Sequence, residues 1–347
     1  MGLLNPLPGV PLVESPFFEE IAAAKGLPPE VIKVGRNLRR DGFAVIDFPD
    51  PQFETTAEHI IRTLDRNFDW AGWKSGAMPN LRVQDAWSFA PEVKRIACNQ
   101  QVLDLLTALY GRRTFPFQTL NFPVGTQQHY HSDSIHFSSS PERFMVGVWV
   151  ALEDVDGYNG PLIYYPGSHT LPIFTNEHLG INPDPKAHTS HYSLYLEAWE
   201  GLVRTLGLKP AYFYARKGQA LIWAANLLHG GAPQKDLNRT RHSQVTHYYF
   251  DHCSYYTPMI SVPFLSAIHF KRIVDVSTGK PVVNTVNGVE VPEKHIKYSE
   301  RRQLETRKAP KRFDRTAYLL ANPDVSRNVD PAKHWVEQGH REGRPLR

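Results

Sequence analysis

The sequence predicts a mainly β fold, an antiparallel jelly roll with helices packed on one of its faces. From residue 114 onward, short segments rich in β-branched and aromatic residues alternate with turn residues, which is typical of many short antiparallel strands. Before that residue, apolar side chains recur mainly at helical spacing. A run of helices followed by a run of strands favours a β fold whose helices lie together on one side.

The N-terminal part is predicted to hold an arm, several helices and one strand. The first 17 residues are rich in proline and are expected to lie as an arm on the domain surface. Helices are expected over about 18–40, with a break at Gly26-Leu27-Pro28-Pro29, and over about 53–64 and 91–110. A short strand is expected over 42–48.

The later part is predicted to supply the strands of the jelly roll. These segments are short and bounded by glycine, proline or asparagine turns, and they cover 115–122, 129–137, 144–152, 162–165, 219–224 and 243–250. An insertion at about 173–210 carries a predicted helix at 194–206. The strands and the insertion are therefore assigned to one jelly-roll domain over 35–300, preceded by an arm and helix over 1–34.

The C-terminal residues 313–347 are predicted to form a separate small unit. Two short helices are expected there, around Tyr318, Leu319, Val325 and Trp335. A unit of this size buries little apolar surface by itself. Its segments Asn322-Pro323-Asp324-Val325 and Glu342-Gly343-Arg344 resemble a short module found beside glycosyltransferases and other polysaccharide-related bacterial proteins. The resemblance implies a substrate that is a sugar, a glycan or a related secondary metabolite.

Composition and charge exclude several classes of function. The formal net charge is +4, from 39 Lys+Arg and 35 Asp+Glu, which is too small for a nucleic-acid-binding surface. The two cysteines form no disulfide framework and fit a reducing compartment. The N-terminus lacks the features of a signal peptide, and no apolar run is long enough to span a membrane. We therefore expect a cytoplasmic protein without nucleic-acid or membrane partners, whose oligomeric state is left open.

His131-Ser132-Asp133, together with His229 and Arg241, carries the chemistry. Two imidazoles and one carboxylate form the facial triad of non-haem Fe(II) oxygenases, which leaves three coordination positions open. If this segment is a strand, His131 and Asp133 lie on the same face, because side chains alternate along a strand. An arginine after the distal histidine would suit a carboxylate co-substrate. His-x-Asp alone is weak evidence in a chain with 16 histidines.

The surrounding motifs resemble the phytanoyl-CoA dioxygenase family over roughly residues 35–260. The segments that carry the resemblance are Gly125 to Asp133, Val148 to Val155, Asn159-Gly160-Pro161-Leu162, Pro166-Gly167-Ser168-His169, Gly218 to Trp223, His229-Gly230-Gly231, and Asn238 to Arg241 followed by Val245 to Tyr249. The resemblance implies a double-stranded β-helix, a cupin-like jelly roll. It also implies an Fe(II)- and 2-oxoglutarate-dependent dioxygenase that uses O2, releases succinate and CO2, and hydroxylates its substrate.

The resemblance assigns roles to individual residues. His131, Asp133 and His229 would ligate Fe(II), and Arg241 would bind the distal carboxylate of 2-oxoglutarate. Arg239 is an alternative, because this segment is one residue longer than the usual pattern; Arg241 is preferred because Tyr248 lies seven residues after it. Four further residues are weaker candidates for the co-substrate site or the pocket: Asn121, Thr126, Gln128 and Trp149.

Other interpretations of the same residues stay open. A jelly-roll metal enzyme without redox chemistry, such as a sugar epimerase, could use the same histidines, and so could a binding protein that has lost catalysis. The pair His129 and His131 is also compatible with a cupin metal site. His136 and His247 are expected to be structural. The carboxylate of Asp133 favours hydroxylation, because related halogenases have a small residue there.

Overall fold

The computed structural model describes residues 5–76, 78, 81–181, 192–297, 313–322 and 330–335. The strands are β1 Phe43–Asp47, β2 Val83–Gln84, β3 Thr114–Phe122, β4 Ser138–Ser140, β5 Met145–Ala151, β6 Leu162–Tyr164, β7 Ala211–Phe213, β8 Gln219–Ala224, β9 His229–Gly231, β10 Ser243–Phe250, β11 Ser254–Tyr256, β12 Ile273–Asp275, β13 Lys280–Val282, β14 Thr285–Val286 and β15 Val289–Glu290. The largest sheet has six antiparallel strands in the order β1-β8-β5-β10-β3-β2, and a second sheet has the order β7-β6-β9. Three further strand pairs are β11-β4, β12-β13 and β14-β15.

The helices mostly precede the strands, as predicted. They are α1 Phe18–Ala24, α2 Pro29–Asp41, α3 Phe53–Leu64, α4 Trp70–Lys74, α5 Pro91–Ala97, α6 Gln100–Tyr110, α7 Tyr192–Thr205, α8 Arg315–Ala321 and α9 Pro331–His334. Proline opens α2 and α5, where the first turn needs no backbone N–H donor. None of the helices in the described part of the chain combines the length and apolar character needed to cross a membrane.

Alternation along the central strands divides the six-stranded sheet into two apolar faces. Val148 of β5 and Ile222 of β8 pack into a cluster with helical residues such as Leu38 and Leu106. Trp149, one residue after Val148, joins a different cluster with Phe213 of β7. One face is therefore covered by the helices and the other faces the smaller sheet, because side chains alternate with period 2. The predicted jelly roll with helices on one face is confirmed.

Three local predictions were wrong or incomplete. Residues 129–137 do not form a strand, because a 3-10 helix, Asp133–Ile135, begins in the middle of that segment. The helix predicted over 91–110 is two helices, and the Asn99 side chain caps α6 by accepting from the backbone N–H of Val102. The short strands β2, β4, β7, β9 and β11 to β15 were not predicted, because two or three residues carry no measurable alternation.

The insertion and the C-terminal segment hold the predicted helices. Helix α7 matches the helix predicted at 194–206, while residues 182–191 of the insertion lie outside the described part. In the C-terminal segment, Tyr318 of α8 and Trp335 are buried together. Val325 falls outside the described residues. The boundaries of the domains remain a prediction.

The Pro-Gly-Ser-His turn packs against the end of α2. Gly42 ends this helix in a left-handed conformation, with φ of 83°, and its N–H donates to Leu38 O. A Cβ at this position would lie 2.6 Å from Nδ1 of His169. The buried His169 in turn has Nε2 3.0 Å from Arg39 O. His169 therefore stabilises the junction between helix and turn, and glycine is required there for both backbone and space.

We expect Gly42→Ala to destabilise the protein by about 3 kcal/mol, from a left-handed non-glycine residue and overpacking against His169. Gly26→Ala is the matched control, because Gly26 also has positive φ, 62°, but has open space around it. We expect it to lower the free energy of unfolding by about 1 kcal/mol. Chemical denaturation of both variants measures the difference, and equal losses would show that the contact with His169 contributes nothing.

Candidate metal centre

His131 and His229 lie opposite each other in an antiparallel β-bridge, joined by two backbone hydrogen bonds. The N–H of His131 donates to His229 O at 2.9 Å, and the N–H of His229 donates to His131 O at 3.0 Å. His229 begins β9, whereas His131 lies in the segment that follows β3. The bridge brings together two histidines that are far apart in the sequence and fixes the separation of their imidazoles, whose centroids are 4.7 Å apart.

The glycines after His229 allow this close approach. A Cβ on Gly230 would lie 2.6 Å from Gln128 O, and one on Gly231 would lie 2.3 Å from Thr126 Oγ1. Side chains at these positions would push residues 126–130 away from β9. The motif His229-Gly230-Gly231 therefore supplies one candidate ligand and also the space that lets the segment carrying His131, another candidate ligand, lie close to β9.

Asp133 reaches the histidines from the start of a 3-10 helix. Ser132 caps that helix, because its Oγ accepts from the N–H of Ser134 at 3.2 Å. The chain turns immediately after Ser132, and the Asp133 carboxylate lies 3.6 Å from His131 Nε2 and 3.7 Å from His229 Nε2. The geometry predicted for His-x-Asp is thus reached, but by a capped turn and not by alternation along a strand.

Backbone carbonyls orient both imidazoles. Nδ1 of His131 lies 3.1 Å from His129 O, and Nδ1 of His229 lies 2.9 Å from Leu227 O. Because a carbonyl oxygen only accepts, each Nδ1 carries the proton and each Nε2 presents a lone pair. Ligand atoms of His131, Asp133 and His229 all lie within 4.8 Å of one another, so these residues could hold a metal ion.

The site surrounds a buried carboxylate. Burial alone would raise the pKa of Asp133, but the nearby imidazoles of His229, His131 and His247 hold it well below its ordinary value. Burial lowers the pKa of His229 to about 4. The indole Nε1–H of Trp223 donates to Asp133 Oδ2 at 2.9 Å. Near neutral pH the site therefore presents an ionised carboxylate and an uncharged His229 imidazole.

Trp223 and His247 complete the surroundings of Asp133. Sequence reasoning missed Trp223 as a partner and assigned His247 only a structural role. His247 Nε2 lies 3.7 Å from Asp133 Oδ2, and its Nδ1 lies 2.9 Å from Gln118 Oε1. Trp223 lies over Gly147, where a Cβ would come within 2.1 Å of the indole ring. The only sequence signal for this arrangement is the glycine inside the apolar strand β5, which indicates close approach of another group.

The two candidate arginines occupy different environments. Arg241 is fully buried; Nη1 donates to Ser243 Oγ at 2.8 Å and Nη2 to Val124 O at 3.2 Å. Burial lowers the pKa of Arg241 to about 10. Arg239 instead lies at the surface, where Nη1 is 2.8 Å from the Asp156 carboxylate. The structure brings Arg241, and not Arg239, into the interior of the protein.

Among the described residues, Arg241 has no hydrogen-bonded carboxylate, and its buried Nε has no acceptor. Its guanidinium lies 5.5 Å over the ring of Trp149, whose Nε1 is also buried without an acceptor. Two donor groups are therefore left unsatisfied side by side, which is costly unless a ligand supplies acceptors.

The remaining candidates differ in position. Asn121 donates to Gln244 Oε1 at 3.3 Å, and Gln244 itself donates to Val93 O of α5. Asn121 therefore lies on the helix-covered face of the sheet, away from the triad. Thr126 is half-buried against Gly231, and Gln128 is exposed. Of these candidates, only Trp149 lies beside Arg241.

The sequence model of the phytanoyl-CoA dioxygenase (PhyH) family matches residues 38–243, more than half of the chain. The chain belongs to this family. The matched region contains the triad and Arg241. No curated protein matches the sequence.

Solved structures with the same fold come from nogalamycin biosynthesis. The non-heme alpha ketoglutarate dependent carbocyclase SnoK is 17% identical, with a TM-score of 0.53, and the match covers 74% of this chain and 94% of SnoK. The epimerase SnoN, in complex with Fe3+, alpha ketoglutarate and nogalamycin RO, is 20% identical, with a TM-score of 0.50 and coverage of 69% and 90%. At these identities the likeness shows the jelly-roll fold.

We expect Trp223→Phe to weaken binding of Fe(II), or of Co(II) as a spectroscopic substitute, by about 10- to 100-fold, because the ring is kept but the donor to Asp133 is lost. Trp199→Phe removes a buried indole of α7 instead and should leave the metal affinity unchanged. Anaerobic metal titrations measure both. Equal metal affinities in the two variants would show that the Trp223 hydrogen bond does not support the site.

Proposed function

We propose that the protein is an Fe(II)- and 2-oxoglutarate-dependent oxygenase that hydroxylates a small-molecule substrate, with His131, Asp133 and His229 as the metal ligands. The main observation behind this proposal is that two imidazoles, each with its proton on Nδ1, converge with one buried carboxylate. Two histidines and one carboxylate are the ligand set of non-haem Fe(II) oxygenases. Membership of the dioxygenase family supports the same conclusion.

The residues present fit both cofactors. The pair of Nε2 lone pairs and the Asp133 carboxylate suit a divalent iron, whose positive charge would offset the buried negative charge. The unsatisfied donors of Arg241 and Trp149 suit the distal carboxylate of 2-oxoglutarate. With both bound, iron supplies activation of O2, driven by conversion of 2-oxoglutarate to succinate and CO2.

The chain's own residues position the reactants and exclude water. The backbone bridge fixes His131 and His229, and the Trp223 indole holds one oxygen of Asp133, so the ligand geometry is set before cofactors bind. All three ligands are largely withdrawn from solvent. Burial of this kind protects a reactive centre from side reactions with water. Asp133 also occupies the position that a halide would need, which favours hydroxylation over halogenation.

The proposed substrate is a small molecule. A sugar- or glycan-related compound is preferred, because the C-terminal segment resembles a module found beside polysaccharide-related proteins. SnoN and SnoK are named as an epimerase and a carbocyclase that depend on alpha ketoglutarate. Product mass separates these outcomes: hydroxylation adds one oxygen, epimerisation leaves the mass unchanged, and ring closure removes two hydrogens. Mass spectrometry of reactions with a sugar and natural-product panel should show one added oxygen together with succinate.

We expect Fe(II) and 2-oxoglutarate, added together without O2, to give the wild-type protein a weak visible charge-transfer band. His131→Ala and Asp133→Ala each remove one ligand and should abolish it. His178→Ala is the control, because this histidine is exposed and lies outside the triad. A non-redox metal enzyme or an inactive binding protein would give no band in the wild-type protein. Full retention of the band in both ligand variants would refute the assignment of the triad.

We expect Arg241→Gln to raise the Kd for 2-oxoglutarate by about 100-fold, because a buried charge-assisted contact is lost. Arg239→Gln removes an exposed ion pair with Asp156 and should leave that Kd unchanged. Anaerobic titration of the Fe(II) protein with 2-oxoglutarate measures both variants. A larger effect of the Arg239 variant would reverse the assignment of the co-substrate arginine.

A further inference from the structure

Lys271 is separated from the Asp133 carboxylate by the rings of Phe137 and His247, and it has no role in the function proposed above. Its Nζ is 4.9 Å from the centre of the Phe137 ring. That ring lies 5.1 Å from the imidazole of His247, which itself contacts Asp133. The Phe137 ring thus separates the half-buried Lys271 from His247, the histidine that contacts Asp133.

The positive charge of Lys271 is not neutralised within the described part of the chain. Burial lowers its pKa to about 8, and no nearby carboxylate raises that pKa again. By contrast, the half-buried Arg143 is paired with Glu14. A cation withdrawn from water without a partner costs free energy, which an anionic ligand would offset.

The charge of Lys271 acts on two histidines close to the triad. Burial is the main cause of the lowered pKa values of His136 and His247, and repulsion from Lys271 contributes to both. His136 lies beside Tyr192, the first residue of α7, with ring centroids 5.3 Å apart. Lys271 therefore lies among aromatic side chains close to the triad, in the region that a substrate of the metal centre would approach.

Lys271 and Arg241 are separate cationic positions. Arg241 lies just before β10, where the nearby charge of Glu153 raises its pKa against the larger effect of burial. Lys271 instead lowers the pKa of His247, which lies six residues after Arg241 in the sequence. A 2-oxoglutarate bound at Arg241 would therefore leave Lys271 available for a second anion.

Resting on the function proposed above, we propose that Lys271 binds a carboxylate of the prime substrate and so selects an anionic small molecule. One ammonium beside an aromatic ring matches a single negative charge, since phosphate sites commonly combine several donors. The apolar part of such a substrate would lie against Phe137. Lys271 is then a specificity-determining residue.

The test uses the full-length protein with Fe(II) and saturating 2-oxoglutarate, without O2. Phenylacetate is the probe, phenylacetamide is its neutral counterpart, and phenyl phosphate tests the alternative anion. Calorimetry should show that the wild-type protein binds phenylacetate about tenfold more tightly than phenylacetamide. Lys271→Met should lose this preference, Lys271→Arg should retain most of it, and Lys280→Met, which removes an exposed lysine of β13, should bind as the wild-type protein does.

The outcomes separate this inference from the proposed function. Equal affinities for the acid and the amide, no binding of phenylacetate, or an unchanged preference in Lys271→Met would overturn the role of Lys271. Stronger binding of phenyl phosphate than of phenylacetate would overturn the choice of a carboxylate. The charge-transfer band reports the proposed function independently: its absence, with a preference still lost in Lys271→Met, would refute the oxygenase and keep the anion site.

Discussion

The buried carboxylate of Asp133 is the constraint on which the rest of the site depends. An ionised carboxylate in a protein interior is stable only when hydrogen bonds and opposite charges compensate for lost hydration. Here the Trp223 indole donates to it and imidazoles surround it. The indole fits there because residue 147 is a glycine, and the imidazoles of His131 and His229 are held together by the backbone bridge between these two residues. A divalent metal would supply the positive charge that this arrangement lacks.

The fold places the buried carboxylate and the helices on opposite faces of the six-stranded sheet. Alternating side chains of β5, β8 and β10 place valine, isoleucine and tyrosine against the helices on one face. The other face carries Trp149, Trp223 and His247 toward the smaller sheet and the metal centre. One face can therefore be close-packed for stability, while the other tolerates unsatisfied donors at Arg241 and Trp149 that a ligand would use.

Most of the long elements, and the three residues that the structure brings together as a candidate metal site, could be predicted from the sequence. Features that depend on tertiary contact could not. Strands β8 and β10 were predicted with their observed bounds, because turn residues frame continuous β-branched and aromatic runs. The strand around Asp133 was wrong because the hydroxyl of Ser132 ends the extended chain. The partnership of His247 with Asp133 follows from packing between distant segments, which no local pattern records. Arg239 and Arg241 differ in surroundings that only the folded loop decides.

One buried His-Asp-His set is proposed to hold iron, while Arg241 holds the co-substrate. Anomalous diffraction at the iron edge, from crystals grown without O2 in Fe(II) and 2-oxoglutarate, tests it most directly. We expect one iron coordinated by His131, Asp133 and His229 and chelated by 2-oxoglutarate, whose distal carboxylate contacts Arg241. Iron bound elsewhere, iron ligated by His247 in place of one of the three, or 2-oxoglutarate bound away from Arg241 would contradict it.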